Sequence, residues 1–76
     1  MFTIQEVAEE LKVHPQTLRN WEKAGLVRVE RVGVNHQRVY SDANLDRLKK
    51  ILHFSGKGIS LRGIKELLHL SEEEEA

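Results

Sequence analysis

Seventy-six residues make one small domain, and a chain this short buries only about 60% of the surface its unfolded form exposes. With no cysteine, neither a disulfide framework nor a thiolate metal site can supplement that core. No apolar run nears the roughly 18 residues of a membrane span, and no signal-peptide layout opens the chain, so a cytoplasmic protein without membrane attachment is expected. The formal net charge of zero conceals a division: all 12 Lys and Arg lie within residues 1–70 together with 8 of the 12 acids, a surplus of four positive charges that Glu72 to Glu75 cancel.

A first helix opens at Thr3, whose hydroxyl suits an N-cap, with Glu6 at the reciprocal capping-box position. Ile4, Val7, Ala8 and Leu11 recur at helical spacing and leave Gln5, Glu6, Glu9 and Glu10 on an acidic outer side. Lys12 and Val13 interrupt the pattern. His14-Pro15 restarts it, because proline suits the first helical position, where its missing N–H had no partner, and Gly25 ends the second helix. Leu18 and Trp21 face the core from this helix, while Gln16, Arg19, Asn20 and Lys23 share the opposite face at i, i+3, i+4 and i+7. A solvated face is the plain reading of such a pattern. A helix set after a tight turn, however, fits a major groove of roughly 12 Å, where Arg pairs with guanine, Asn or Gln with adenine, and Lys suits a phosphate. The candidate contacts on this helix are Gln16, Thr17, Arg19, Asn20 and Lys23.

Val27 and Val29 then alternate with Arg28 and Glu30, Gly33-Val34-Asn35-His36 supplies a turn, and Val39 lies between Arg38 and Tyr40, which predicts a two-stranded hairpin over 27–40. A lone hairpin is barely stable in water, so one face must lean on the helices while the other presents Arg31, His36, Arg38 and Tyr40. For Tyr40 the alternative is core packing with its hydroxyl satisfied. Ser41 caps a third helix whose stripe is Leu45, Leu48, Ile51 and Leu52, ending at Ser55-Gly56-Lys57-Gly58. Ser60 caps a fourth, with Leu61, Ile64, Leu67 and Leu68 expected inward and Arg62 and Lys65 turned away. Lys57 and Arg62 flank the glycine-rich connection, where free helix N–H groups favour an anion, so residues 56–62 read as a second wing against a phosphate, or as an ordinary surface loop.

The element order is that of a mainly α, winged helix-turn-helix domain over residues 1–70, and a double-stranded DNA partner is expected. Catalysis has little support: there is no nucleophile string, no glycine-rich phosphate loop and no carboxylate pair in a visible pocket. His14, His36, His53 and His69 lack metal-ligand spacing, so neither metal nor cofactor is expected.

Several strings resemble the MerR family of transcription regulators: Thr17-Leu18-Arg19, Trp21-Glu22, Gly25-Leu26, Arg38-Val39-Tyr40-Ser41 and Leu45-Asp46-Arg47-Leu48. The resemblance runs from about Phe2 to Leu70. His14 to Arg19, with Gly58 to Lys65, is most similar to the heat-shock repressor branch, which implies a repressor on inverted half-sites and a chaperone co-repressor. Two departures stand out. Asn20 occupies the place of the first of two adjacent aromatics, and family members continue into a long antiparallel dimerisation helix. Ser71-Glu72-Glu73-Glu74 reads either as the opening of that helix or as an acidic tail over 71–76. Both leucine stripes are claimed by the domain's own core, so a free monomer is expected, with a second copy joining on DNA. The alternatives are an excisionase-like architectural protein that bends DNA, or a protein-interaction module that has kept the fold.

Overall fold

The computed structural model describes the backbone of residues 1–75 and the side chains of residues 1–69. Helix α1, Ile4–Leu11, starts as its sequence predicts: the Thr3 hydroxyl accepts the Glu6 N–H at 3.1 Å, and the Glu6 carboxylate accepts the Thr3 N–H at 2.9 Å. Lys12 ends the helix in the left-handed region, φ 57°, a conformation that carries Val13 away so that its N–H returns to the Ala8 carbonyl. Helix α2, Pro15–Lys23, follows at once, with proline in its first turn and His14 as its cap, Nδ1 accepting the Gln16 N–H at 3.0 Å. Gly25, at φ 80°, turns the chain out of α2, and Leu26 closes the turn by donating to the Trp21 carbonyl.

The hairpin forms with shorter strands than the alternation predicts. Strand β1, Glu30–Val32, pairs antiparallel with β2, Gln37–Val39, in a register that sets Arg31 directly opposite Arg38. Val27 and Val29 are buried but belong to no strand, because their stretch is held from the side by the next helix: Asn44 Nδ2 donates to the Arg28 carbonyl at 3.0 Å, and Arg47 Nε to that of Leu26. At the hairpin's base, Phe2 and Tyr40 exchange two backbone hydrogen bonds of 2.8 Å, a bridge with no signature in the sequence.

Helix α3, Asp42–Gly56, is capped by Ser41 with Asn44 completing the box, and α4, Leu61–Glu75, packs against it. The core draws on all four helices and on the residues that flank the strands: Val7 and Ala8 of α1, Leu18 and Trp21 of α2, Leu26, Val27, Val29 and Tyr40 around the hairpin, Leu48 and Ile51 of α3, and Ile64 and Leu68 of α4. Two expected members are missing. Leu61 and Leu67 are 39% and 40% exposed, because a helix turns about 100° per residue and the stripe that buries Ile64 and Leu68 leaves Leu67 at its edge and Leu61 at its start. The backbone of α4 also continues through residues 71–75, where the sequence suggested a tail or a newly capped helix; the capping pattern read at Ser71 lies outside the described side chains. Among the described residues no helix is long and apolar enough to cross a membrane.

Candidate nucleic-acid interface

Burying Leu18 and Trp21 fixes how α2 is rolled, and that roll turns Gln16, Asn20 and Lys23 fully outward, with Thr17 and Arg19 half-buried beside them. Gln16 sits between its two neighbours one turn on. Its Nε2 donates to Asn20 Oδ1 at 3.1 Å, and its Oε1 accepts from Arg19 Nη1 at 3.4 Å. The three side chains are therefore linked along one helix face, with the remaining guanidinium N–H groups and the Asn20 amide N–H groups still available to an acceptor. Lys23, in the last turn, adds a cation on the same side.

The hairpin arginines are placed by a residue that the sequence reading left without a role. Glu22 of α2 accepts from Arg38 Nε at 2.6 Å through one carboxylate oxygen and from Arg31 Nη2 at 3.4 Å through the other. The sequence signal, weak but present, is that Glu22 is the one acid in α2. Arg31 and His36 are exposed as expected, His36 at the turn with φ 51° and its N–H donating to the Gly33 carbonyl at 3.2 Å.

Tyr40 is a correction. It is fully buried in the core, so its ring offers no outward face, and its hydroxyl has no hydrogen-bond partner. Burial, and after it the charge of Glu22, pushes the phenol above its ordinary titration range, with Arg38, Arg19 and Arg31 pulling weakly the other way. The core-packing alternative thus holds for the ring, but not with the hydroxyl satisfied.

Lys57 and Arg62 stand at the second connection. Lys57 caps α3, its N–H donating to the Phe54 carbonyl at 3.0 Å, and Gly58 at φ 81° makes the turn. The Ser60 hydroxyl then accepts the Gly63 N–H at 3.2 Å at the start of α4. Both cations are exposed, and neither has an ion pair among the described residues. Elsewhere, the Thr3 N–H and then the Thr3 hydroxyl hold the Glu6 carboxyl below the usual carboxylate range.

A helix-turn-helix with a short hairpin and a helix pair is now joined to a family match: the model described as MerR HTH family regulatory protein covers residues 2–71. The chain belongs to the MerR HTH family. It is 36% identical over 74 residues to an uncharacterised HTH-type transcriptional regulator of Synechocystis, a match covering 97% of this chain and 54% of that protein. It is 32% identical over 74 residues to a putative heat shock protein, HspR, of Streptomyces coelicolor, covering 96% of the chain and 48% of the relative. Among solved structures, the transcription regulator PbrR691 of Ralstonia metallidurans, in complex with lead(II), superposes with a TM-score of 0.86 at 29% identity, over 100% of this chain and 59% of that one. The MerR-type chain thus spans between about a quarter and a half of the length of the relatives it matches, most of which bear the names of HTH-type transcriptional regulators and none that of an enzyme. HspR is one of several proteins that match, so the comparison assigns the MerR family and no branch within it.

Proposed function

We propose that this chain is the sequence-specific DNA-binding domain of a MerR-family transcription regulator, acting as a repressor. In this reading α2 enters the major groove, where Arg19 and the Gln16–Asn20 pair meet base edges and Lys23 a phosphate, while Thr17 touches the flanking backbone. The hairpin, through Arg31, His36 and Arg38, and the second connection, through Lys57 and Arg62, hold phosphates on either side. Two copies occupy inverted half-sites about one helical turn apart, roughly 34 to 36 Å, as the family resemblance implies. A chaperone serves as co-repressor on the heat-shock branch of that resemblance. The protein works in the cytoplasm, where its operator is.

The observation that carries this reading is the outward face of α2: it presents only amide, guanidinium and ammonium groups, prelinked by two side-chain hydrogen bonds, on a helix whose opposite face is locked by Leu18 and Trp21. The test separates residues that specify from residues that hold. Arg19→Ala should cost about 1 to 3 kcal/mol on a duplex selected from a random library and relax base choice there, whereas Lys57→Ala should weaken selected and mixed-sequence DNA alike. Equal losses on both kinds of DNA for Arg19→Ala would remove α2 as the reading helix. A reporter fused to a promoter carrying the selected site should rise when the gene is deleted; a fall would make the protein an activator.

A further inference from the structure

We infer that Glu22 is a specificity-determining positioning residue: its carboxylate stands in for a DNA phosphate, withholding Arg31 and Arg38 from indiscriminate binding and fixing them beside α2 for the seated complex. The inference rests on the DNA-binding reading above and adds a residue that makes none of the proposed DNA contacts.

Helix α2, Pro15–Lys23, carries Arg19 and Lys23 and a single acid. That acid is turned toward the hairpin. Its two oxygens reach two arginines at once, Arg38 Nε at 2.6 Å and Arg31 Nη2 at 3.4 Å, and the strand register makes those arginines direct cross-strand partners. Like charges directly opposite on a hairpin repel, so one carboxylate both neutralises the pair and ties it to the recognition helix. The site is partly shielded: the side chains of Glu22 and Arg38 are 18% and 22% exposed, that of Arg31 43%. Bulk salt therefore screens the Arg38 pair less than it would a fully exposed one.

Carboxylate and phosphate oxygens make the same charge-assisted hydrogen bonds with a guanidinium. Each arginine in the free protein thus already holds an anionic oxygen. On mixed-sequence DNA, a guanidinium that swings out to a phosphate must leave Glu22 behind, unpaired and close to the DNA's own negative charge. When α2 is seated, no such rupture is needed. Glu22 uses the Nε of Arg38 and one terminal nitrogen of Arg31, so the other N–H groups are presented from a fixed position at the edge of α2. Loose binding is penalised and docked binding is not, which is discrimination by a repulsive element as much as by an attractive one.

The test compares wild type with Glu22→Gln by fluorescence anisotropy across a salt series. One probe is a duplex selected from a random library on the wild-type chain; the other is sonicated genomic DNA of mixed sequence. Glu22→Gln should bind mixed-sequence DNA several-fold more tightly, with a log–log salt slope steeper by about 0.9 for each arginine released. Its affinity for the selected duplex should stay level or fall, so that the ratio of the two drops about tenfold. Equal changes on both probes, or an unaltered slope on mixed-sequence DNA, would overturn the proposal while leaving the DNA-binding reading intact; a wild-type chain that binds neither probe would overturn both. Should Glu22→Gln fail to fold, Arg31→Gln gives the converse result. It should leave the wild-type slope on mixed-sequence DNA nearly unchanged, because Glu22 already cancels that cation, and a loss of a full phosphate's worth of slope would refute the idea.

Discussion

Tyr40 shows at the level of one side chain how core packing and surface chemistry compete. The ring is buried to the last atom and two of its backbone groups pair with Phe2, yet the hydroxyl finds no acceptor. A buried hydroxyl without a partner costs about 1 to 3 kcal/mol, so Tyr40→Phe should raise the unfolding free energy by about 1 kcal/mol in urea at neutral pH. The pH dependence has a definite sign. Because the folded phenol titrates above its ordinary value, the unfolded chain releases that proton first as pH rises, and the stability present at neutral pH falls from about pH 10 upward through the folded value. The advantage of Tyr40→Phe should therefore widen above pH 10 in parallel melts. A constant gap would mean that the hydroxyl is not shielded as described.

Among the elements, the start of α3 does more than begin a helix. Asn44 accepts the Ser41 N–H through Oδ1 at 3.0 Å, donates its own N–H to the Ser41 hydroxyl at 3.1 Å, and sends Nδ2 to the Arg28 carbonyl at 3.0 Å. One side chain thus joins the helix cap to the run that feeds the hairpin, and the hairpin alone would be only marginally stable. Asn44→Asp keeps the cap acceptor but loses the donor to Arg28, and should cost about 1 kcal/mol; Asn44→Ala loses both, and should cost about 2. Chemical denaturation measures the difference. Amide exchange in β1 and β2 should quicken in both variants, and unchanged exchange in Asn44→Asp would show that the strap does not support the wing.

On the scale of the whole molecule, the apolar surface left over decides assembly. Among the described residues the large apolar side chains left exposed are Met1, Val32, Val34, Leu61 and Leu67, and the two leucines, six residues apart on α4, lie on different sides of the helix. Obligate homodimer interfaces generally bury on the order of 2,000 Å² or more. The 76-residue chain should therefore sediment as a monomer at micromolar concentration and bind a two-site duplex only modestly better than a single site. A tight dimer without DNA would require a self-association surface beyond these scattered side chains.

Local rules made much of this protein readable without a structure. The first three helix starts were legible because capping is a local matter: Thr3 with Glu6 three residues on, Pro15 directly after His14, and Ser41 ahead of Asp42. The outward face of α2 was legible too, since Leu18 and Trp21 fix the roll of a short helix and the polar face follows from 3.6 residues per turn. The family strings pointed to MerR for the same reason, as they mark those caps, faces and turns. What the chain order could not reveal depends on contacts between distant residues. Glu22 lies 9 residues before Arg31 and 16 before Arg38, and only the turn at Gly25 and the hairpin register bring the three together. Tyr40 went inward because Phe2, just ahead of the first helix, pairs with it and closes the base of the hairpin over the core. Leu61 and Leu67 stayed outside because α4 packs along a single stripe, and which leucines of a run occupy that stripe is settled by the angle at which two helices meet.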